Sequence, residues 1–157
     1  IYNKNLDGLD FRLNAYFGST GESVRFIKLT NIYELRGIAS SKPSDLILGI
    51  NMIRLPEMYY IMAEALLESD IELATDYFNA VIEHRGLTAI NQRVNKLNLS
   101  LELIKDERYK EFWGEGQSFF NLKRTHSLIS LPDGNSVQPS NSVFVVPIPD
   151  IEYDYRN

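Results

Sequence analysis

The sequence predicts a mainly α-helical fold: a tetratricopeptide-like helical hairpin with further helices and irregular loops. Three observations predict it. Apolar residues recur at three- and four-residue steps from residue 52 onward, a short polar break divides that stretch, and a second helical stretch begins near residue 100. Such spacing places apolar side chains on one face of a helix. Because 157 residues suffice for one domain with a core, we predict a single domain over residues 1–157.

Residues 1–51 are predicted to be an irregular region. Short apolar or aromatic runs at 13–17, 24–29 and 31–35 are separated by glycine- and serine-rich breaks at 18–21 and 40–44. Glycine and serine at such breaks favour turns. We therefore expect loops with short helical or strand-like pieces.

Residues 52–86 form the predicted hairpin. Pro56 is compatible with the first turn of its first helix, where a missing N–H costs nothing. Ser69 and Glu72 match a capping box, so the second helix should start there. Gly86 is the expected C-terminal stop. The predicted inward-facing residues are Leu55, Met58, Tyr59, Met62, Ala65 and Leu66 in the first helix and Ala74, Phe78, Val81 and Ile82 in the second.

The tight connection makes the two helices antiparallel neighbours. The Ala74-x-x-x-Phe78 spacing is similar to that in the second helix of a tetratricopeptide repeat. One such hairpin cannot bury both of its faces, and solenoids need about three units for stability. We therefore expect other helices to pack on it, either from this chain or from a part that precedes it.

Residues 87–99 read as a polar loop, and residues 100–124 as further helices that begin with Ser100 as the cap. Gly114 and Gly116 interrupt them, and a short apolar stripe resumes at residues 119–122. A turn is predicted at 132–135, followed by an extended segment at 143–149 whose prolines exclude it from a central strand. Residues 125–157 are thus a loop and extended tail.

Composition excludes several classes of function. The net charge is −5 and no cluster of Lys and Arg occurs, which argues against nucleic acid as a partner. Without cysteine there is no disulfide, thiol nucleophile or Cys-ligated zinc. His84 and His126 lack metal-ligand spacing, so we expect no metal and no cofactor. Because the chain starts at Ile1 rather than methionine, we expect a fragment or a processed product.

Three stretches occur in a recognisable order: MIRLPEMYYIMAEA at 52–65, ERYKEFWGEGQSFFNLKR at 107–124 and PIPDIE at 147–152. They resemble the "IRLAEvyLiyAEA", "ERrkEfwgEGqRffDLkR" and "PIPxxE" motifs of the C-terminal region of the SusD/RagB family. Asp10-x-Arg12-Leu13 is similar to the family's "DxRL" element. The sequence departs from the pattern at four positions: Pro56 for Ala, Tyr109 for Arg, Ser118 for Arg and Asn121 for Asp.

The resemblance implies a surface lipoprotein of a Bacteroides-type outer membrane, anchored through a lipidated cysteine that this sequence does not contain. It implies a glycan ligand and a TonB-dependent (SusC-like) outer-membrane transporter as partner. An enzyme is the third interpretation and ranks last, because the sequence contains no catalytic constellation. The alternative is a tetratricopeptide-like scaffold that docks peptides or proteins, which rests on the hairpin alone. A groove lined by Asn and Lys would favour peptide, and a ring of exposed tyrosines would favour sugar.

Aromatic residues in predicted loops are the candidate glycan-binding residues, because loops on a rigid scaffold carry most recognition side chains. They are Tyr16, Phe17 and Tyr33. Trp113, which lies in an apolar stripe with Phe112 and Phe119, is predicted to pack in the core instead.

The acidic residues receive structural roles in our interpretation. Glu57, Glu64 and Glu68 are interpreted as a solvated helix face rather than a pair of catalytic carboxylates, which would have to face each other across a cleft. The remaining charged residues of the second motif are predicted to form structural ion pairs: Glu107, Arg108, Glu111 and Glu115.

Overall fold

The computed structural model describes residues 10–20, 23–28, 53–131, 133–149 and 151–152. The chain divides into two compact units, residues 1–115 and residues 116–157. The described parts contain six α-helices and two two-stranded antiparallel sheets, which confirms the predicted mainly α-helical fold. The single domain over 1–157 stays a prediction.

The first unit begins with a short helix and a hairpin of two strands. Helix α1 (Phe11–Tyr16) is capped by Asp10, whose carboxylate accepts the Arg12 N–H at 3.0 Å. Strands β1 (Phe17–Thr20) and β2 (Ser23–Phe26) pair antiparallel, with Gly18 opposite Arg25. The turn predicted at 18–21 is therefore wrong for residues 18–20. Their backbone groups are paired in the strand ladder, which outweighs the local turn preference of glycine and serine.

The helical hairpin is confirmed as α2 (Leu55–Leu66) and α3 (Ile71–Glu83). The predicted cap is wrong by one residue: Asp70, not Ser69, is the N-cap of α3, and its carboxylate accepts the Leu73 N–H at 3.0 Å. The Ser69 N–H instead donates to the Leu66 carbonyl in the connecting turn. A carboxylate at the N-cap also interacts favourably with the helix dipole.

The buried face of α2 is rotated from the predicted one. Tyr60 and Ala63 are completely buried, and Tyr59 and Leu66 pack partly against them. The other predicted inward residues of α2 are exposed: Leu55, Met58, Met62 and Ala65. The error arises because α2 is apolar around most of its circumference, so periodicity does not select which face meets α3 and α4 (Leu101–Glu111).

Helix α3 and the loop after it supply most of the remaining core. Its predicted inward residues are buried as expected: Ala74, Phe78, Val81 and Ile82. Gly86 ends the helix with a φ of 83°, and the Leu87 N–H donates back to the Ile82 carbonyl at 3.1 Å. Asn79 then accepts the Ile90 N–H at 2.9 Å, which anchors the 3₁₀ turn Ile90–Gln92 to α3. The loop predicted to be polar therefore contributes buried Leu87 and Ile90.

Helix α4 (Leu101–Glu111) starts at Ser100 as predicted, with the Ser100 hydroxyl accepting the Leu103 N–H at 3.2 Å. Ile104 and Phe112 pack into the core, and the Phe112 ring lies edge-on to Tyr60 at 6.3 Å. Gly114 and Gly116 then interrupt the helical stretch with φ values of 77° and 75°.

The second unit contains α5 (Ser118–Arg124), β3 (Ile129–Ser130), β4 (Ser136–Val137) and α6 (Asn141–Phe144). A turn at Gly134, with φ 86°, joins the two strands as predicted, although Pro132 lies outside the described residues. The extended segment predicted from Val143 is wrong at its start, because Val143 and Phe144 are helical. The reason is that Phe144 is buried against Phe119, at a ring distance of 5.8 Å.

Candidate functional site

Buried and partly buried charged side chains link the helices and the strand hairpin of the first unit; we call these eight residues the charge cluster. Its anionic members are Asp10, Glu107, Glu111 and Glu115, and its cationic members are Arg12, Lys28, Arg54 and Arg85. They come from the start of α1, the residues after β2, the N-cap of α2, the end of α3, and α4 with the turn that follows it.

Arg12 ties α1 to α4. Its guanidinium makes two hydrogen bonds to Asp10, at 2.9 and 2.8 Å, and one to Glu107 at 2.7 Å. Arg12 is only 1% exposed. Burial by itself would lower the pKa of Arg12, but the hydrogen bonds that Arg12 donates to Asp10 and the charge of Glu107 outweigh it and raise that pKa. Arg12 therefore stays charged, and it is a structural cation.

Glu111 pairs with three cations of the charge cluster. Its carboxylate accepts two hydrogen bonds from Arg85, both at 2.9 Å, and one from Arg54 at 2.9 Å, and Arg12 lies 3.6 Å away. Its side chain is completely buried. Burial would raise the pKa of Glu111, but the Arg85 hydrogen bonds and the charges of Arg85, Arg54 and Arg12 lower it overall. Glu111 is thus ionised, the opposite of what a general acid requires.

Lys28 fixes the turn after α4. Its ammonium lies 2.6 Å from a Glu115 carboxylate oxygen and donates to the backbone carbonyls of Glu111 and Trp113, at 2.6 and 3.2 Å. Burial is the largest effect on Lys28 and lowers its pKa, although Glu115 opposes that shift. The same ammonium lies 4.1 Å from the ring centre of Tyr16, a cation–π contact.

The predicted ion pairs of the second motif are confirmed. Glu107, Glu111 and Glu115 pair within the charge cluster, and Arg108 pairs with Glu57 at 3.3 Å. The interpretation of Glu57 as a solvated residue is therefore wrong, since Arg108 from α4 reaches it. Each of these carboxylates faces a cation, so the arrangement fixes the helices relative to one another through ion pairs.

The candidate glycan-binding residues lie in different settings. Tyr16 is buried, with its hydroxyl 3.4 Å from the Glu111 carbonyl, and burial raises its pKa to about 12. Phe17 is half-buried in β1, with its ring 5.6 Å from that of Phe26. Tyr33 lies outside the described residues. A glycan contact by any of the three stays a prediction.

Trp113 is not the core residue that the sequence predicted. It is half-buried, and its ring meets the exposed Tyr109 edge-to-face at 5.0 Å. The neighbouring Phe112 takes the core position instead, with 3% exposure. The helical stretch ends between these two residues, so the residue after Phe112 turns away from the core.

Arg85 and Lys28 are members of the charge cluster that sequence reasoning missed. Neither residue lies in a stretch whose sequence pattern indicates an ion pair. Arg85 precedes the Gly86 stop, and Lys28 follows β2. Their partners lie 26 and 87 positions away in the chain, at Glu111 and Glu115. Only the fold brings them together.

The fold and the charge cluster define a rigid helical scaffold whose buried carboxylates are neutralised by ion pairing. The sequence profile of the SusD family matches residues 19–143, and the chain belongs to that family. Members of this family are typically associated with the cell surface and are binding proteins that take part in the uptake of nutrient glycans, rather than enzymes. Comparison with curated proteins and with solved structures gave no match.

Among the described residues, no helix combines the length and the apolar character that crossing a bilayer requires.

Proposed function

We propose that this chain is part of a surface lipoprotein that binds oligosaccharides and passes them to a TonB-dependent, SusC-like transporter in the outer membrane. The observation that carries the proposal is the SusD family match over residues 19–143. The charge cluster supports it, because carboxylates held in ion pairs suit a binding scaffold better than a hydrolase.

Binding is to be tested by isothermal titration calorimetry of the protein against a panel of neutral and acidic polysaccharides. We expect heat of binding for at least one of them, together with co-purification of an outer-membrane transporter from the native host. Absence of binding to every glycan, and absence of a co-purifying transporter, would refute the proposal. Hydrolysis of chromogenic glycosides above the blank would contradict the non-enzymatic assignment.

The contribution of the candidate residues is to be tested with single variants. Phe17→Ala and Tyr33→Ala remove an aromatic ring each, and Tyr16→Phe removes only the buried hydroxyl. The control is Phe120→Ala, because Phe120 is 70% exposed and no role in binding is proposed for it. Weaker glycan binding in Phe17→Ala or Tyr33→Ala, with unchanged binding in the control, would support those residues as contacts.

One observation favours the alternative function, peptide docking. The exposed face of α2 carries a row of apolar side chains, with Leu55 at 68%, Ile61 at 46% and Met62 at 40% exposure. Amphipathic helices dock on such faces with residues at three- and four-residue spacing. Selection from a displayed peptide library tests this function. Peptides that bind the unmodified chain but not the Met62→Lys variant would support peptide docking. Failure to select any peptide would refute it.

A further inference from the structure

Tyr109 on α4 and the half-buried Trp113 just after α4 form a partly exposed aromatic pair. Tyr109 is 41% exposed, and its ring meets that of Trp113 at 5.0 Å with an angle of 86° between the planes. Because the two ring planes are nearly perpendicular, the pair offers a ligand the flat face of one ring beside the edge of the other. The pair depends on a departure from the family pattern, because Tyr109 stands where the family motif has arginine.

The pair is held in place by the backbone around it. The Trp113 carbonyl accepts a hydrogen bond from Lys28 at 3.2 Å, and Gly114 follows with φ 77° against the ring of Phe26. Tyr109 lies in the last turns of α4, whose N-terminus is capped by Ser100. A pre-organised aromatic surface loses little conformational entropy when a ligand stacks on it.

Charged groups border the aromatic pair along the same helix face. Glu102 and Asp106 are exposed and precede Tyr109 by seven and three residues, the spacing of one helix face. Lys105 lies between them and bonds Glu102 at 2.9 Å. At 1.5 Å per residue, the stripe from Glu102 to Tyr109 is about 10 Å long. The surface thus combines aromatic rings with carboxylates that can accept hydrogen bonds from hydroxyl groups.

The size and charge of this surface decide between ligand classes. A specific protein interface buries about 800 Å² per partner, whereas two aromatic side chains present at most about 150–250 Å² each. A protein partner is therefore disfavoured. The carboxylates of Glu102 and Asp106, and the net charge of −5, oppose any polyanion. A sugar ring, with an apolar C–H face and hydroxyl groups at its edge, fits both features.

We propose that Tyr109 and Trp113 form a second carbohydrate-binding surface, selective for neutral over acidic oligosaccharides. The proposal rests on the glycan-binding function proposed above and adds to it a site and a charge preference. Trp113 and Tyr109 stack on one sugar ring, and Asp106, three residues before Tyr109, accepts hydrogen bonds from hydroxyl groups of the oligosaccharide.

The test uses Trp113 as its own reporter, because it is the only tryptophan of this chain. The chain is titrated with maltoheptaose, cellohexaose, xylohexaose and mannohexaose, and with oligogalacturonate as the acidic counterpart. Calorimetry measures binding anywhere on the protein. Acrylamide quenching of tryptophan fluorescence measures whether the ligand covers Trp113. We expect a neutral oligosaccharide to bind and to protect Trp113 from quenching, and oligogalacturonate to do neither.

Variants separate this surface from other sites. Tyr109→Ala should weaken binding about three- to tenfold, in line with the loss of one aromatic contact. Phe120→Ala, which removes an exposed ring elsewhere, should bind as the unmodified chain does. Thermal unfolding followed by circular dichroism verifies that each variant folds.

The outcomes distinguish this inference from the proposed function. Binding detected by calorimetry without protection of Trp113, and with unchanged affinity in Tyr109→Ala, overturns the second surface and leaves the proposed function intact. Binding of oligogalacturonate with protection of Trp113 overturns the charge preference. Absence of binding to every oligosaccharide overturns both proposals.

Discussion

At the scale of single residues, Glu111 carries the largest share of the buried ion pairing. It accepts both hydrogen bonds from Arg85 and one from Arg54, and its side chain is fully buried. Removing one partner of a buried ion pair leaves its neighbours as uncompensated buried charges. We expect Glu111→Ala to lower the free energy of unfolding by about 3–5 kcal/mol, measured by urea denaturation followed by circular dichroism.

The control for this variant is Glu102→Ala on the same helix. The Glu102 side chain is 79% exposed and pairs with Lys105 three residues later. Exposed pairs of this kind contribute about 0–1 kcal/mol, so Glu102→Ala should change stability little. Equal losses in the two variants would show that Glu111 does not depend on its buried partners.

Gly114 and Gly116 form a natural pair for testing a close contact. Both have positive φ, at 77° and 75°, so Ala at either position should cost about 1–2 kcal/mol in backbone conformation. A Cβ at Gly114 would also collide with the Phe26 ring, lying 2.6 Å from Cε1, whereas a Cβ at Gly116 would meet nothing within 4 Å. We expect Gly114→Ala to lose about 1–3 kcal/mol more than Gly116→Ala in the free energy of unfolding.

The same urea denaturation experiment measures both glycine variants. If Gly114→Ala loses no more stability than Gly116→Ala, then β2 does not pack on the turn after α4 through Phe26. Adding Phe26→Ala to the Gly114→Ala variant removes the ring that the new Cβ would meet. The double variant should therefore recover the part of the lost free energy of unfolding that the collision causes.

At the scale of elements, the cap of α3 distinguishes two adjacent polar residues. The Asp70 carboxylate accepts the Leu73 N–H at 3.0 Å, whereas the Ser69 N–H donates to the Leu66 carbonyl at 3.1 Å in the connecting turn. We expect Asp70→Ala to lower the free energy of unfolding by about 1 kcal/mol and Ser69→Ala to change it by less than about 0.5 kcal/mol. The measurement is thermal unfolding of both variants. A larger loss of stability in Ser69→Ala than in Asp70→Ala would show that Ser69 is the cap.

The elements themselves were largely predictable, because their signals are local. The hairpin, the Ser100 cap and the glycine stops at 86, 114 and 116 depend on residues a few positions apart. The buried face of α2 was not predictable in the same way. Both Met58 and Tyr60 are apolar, and only the positions of α3 and α4 decide that Tyr60 is buried and Met58 is 41% exposed.

The members of the charge cluster that lie in the charged motif at 107–124 were predictable from the sequence, and the members outside that motif were not. Glu107 and Glu111 lie four residues apart on one face of α4, and Glu115 follows four residues later in the turn after it, so the sequence indicated that they act together. Lys28 and Arg85 are distant from them in the chain and isolated among unrelated residues. Long-range ion pairs are decided by tertiary packing, and one sequence contains no signal for them.

At the scale of the whole molecule, the charge cluster makes stability depend on pH. The pKa of Glu111 is lowered from 4.5 because its cationic partners, Arg85 first, outweigh the effect of burial. In acid the folded state therefore binds fewer protons at this site than the unfolded state does. The contribution of Glu111 to stability is present above pH 4.5 and is lost as the pH falls through its folded-state pKa.

We expect the free energy of unfolding to fall as the pH is lowered below 4.5, the usual pKa of this carboxyl group. One proton of difference corresponds to a slope of at most about 1.4 kcal/mol per pH unit. Glu111→Gln cannot take up that proton, so it should be less stable at neutral pH and show a shallower acid slope. Urea denaturation across this pH range measures both curves. Parallel curves would mean that Glu111 has the same pKa in both states, and the loss of stability in acid would then have to come from other carboxylates of the chain.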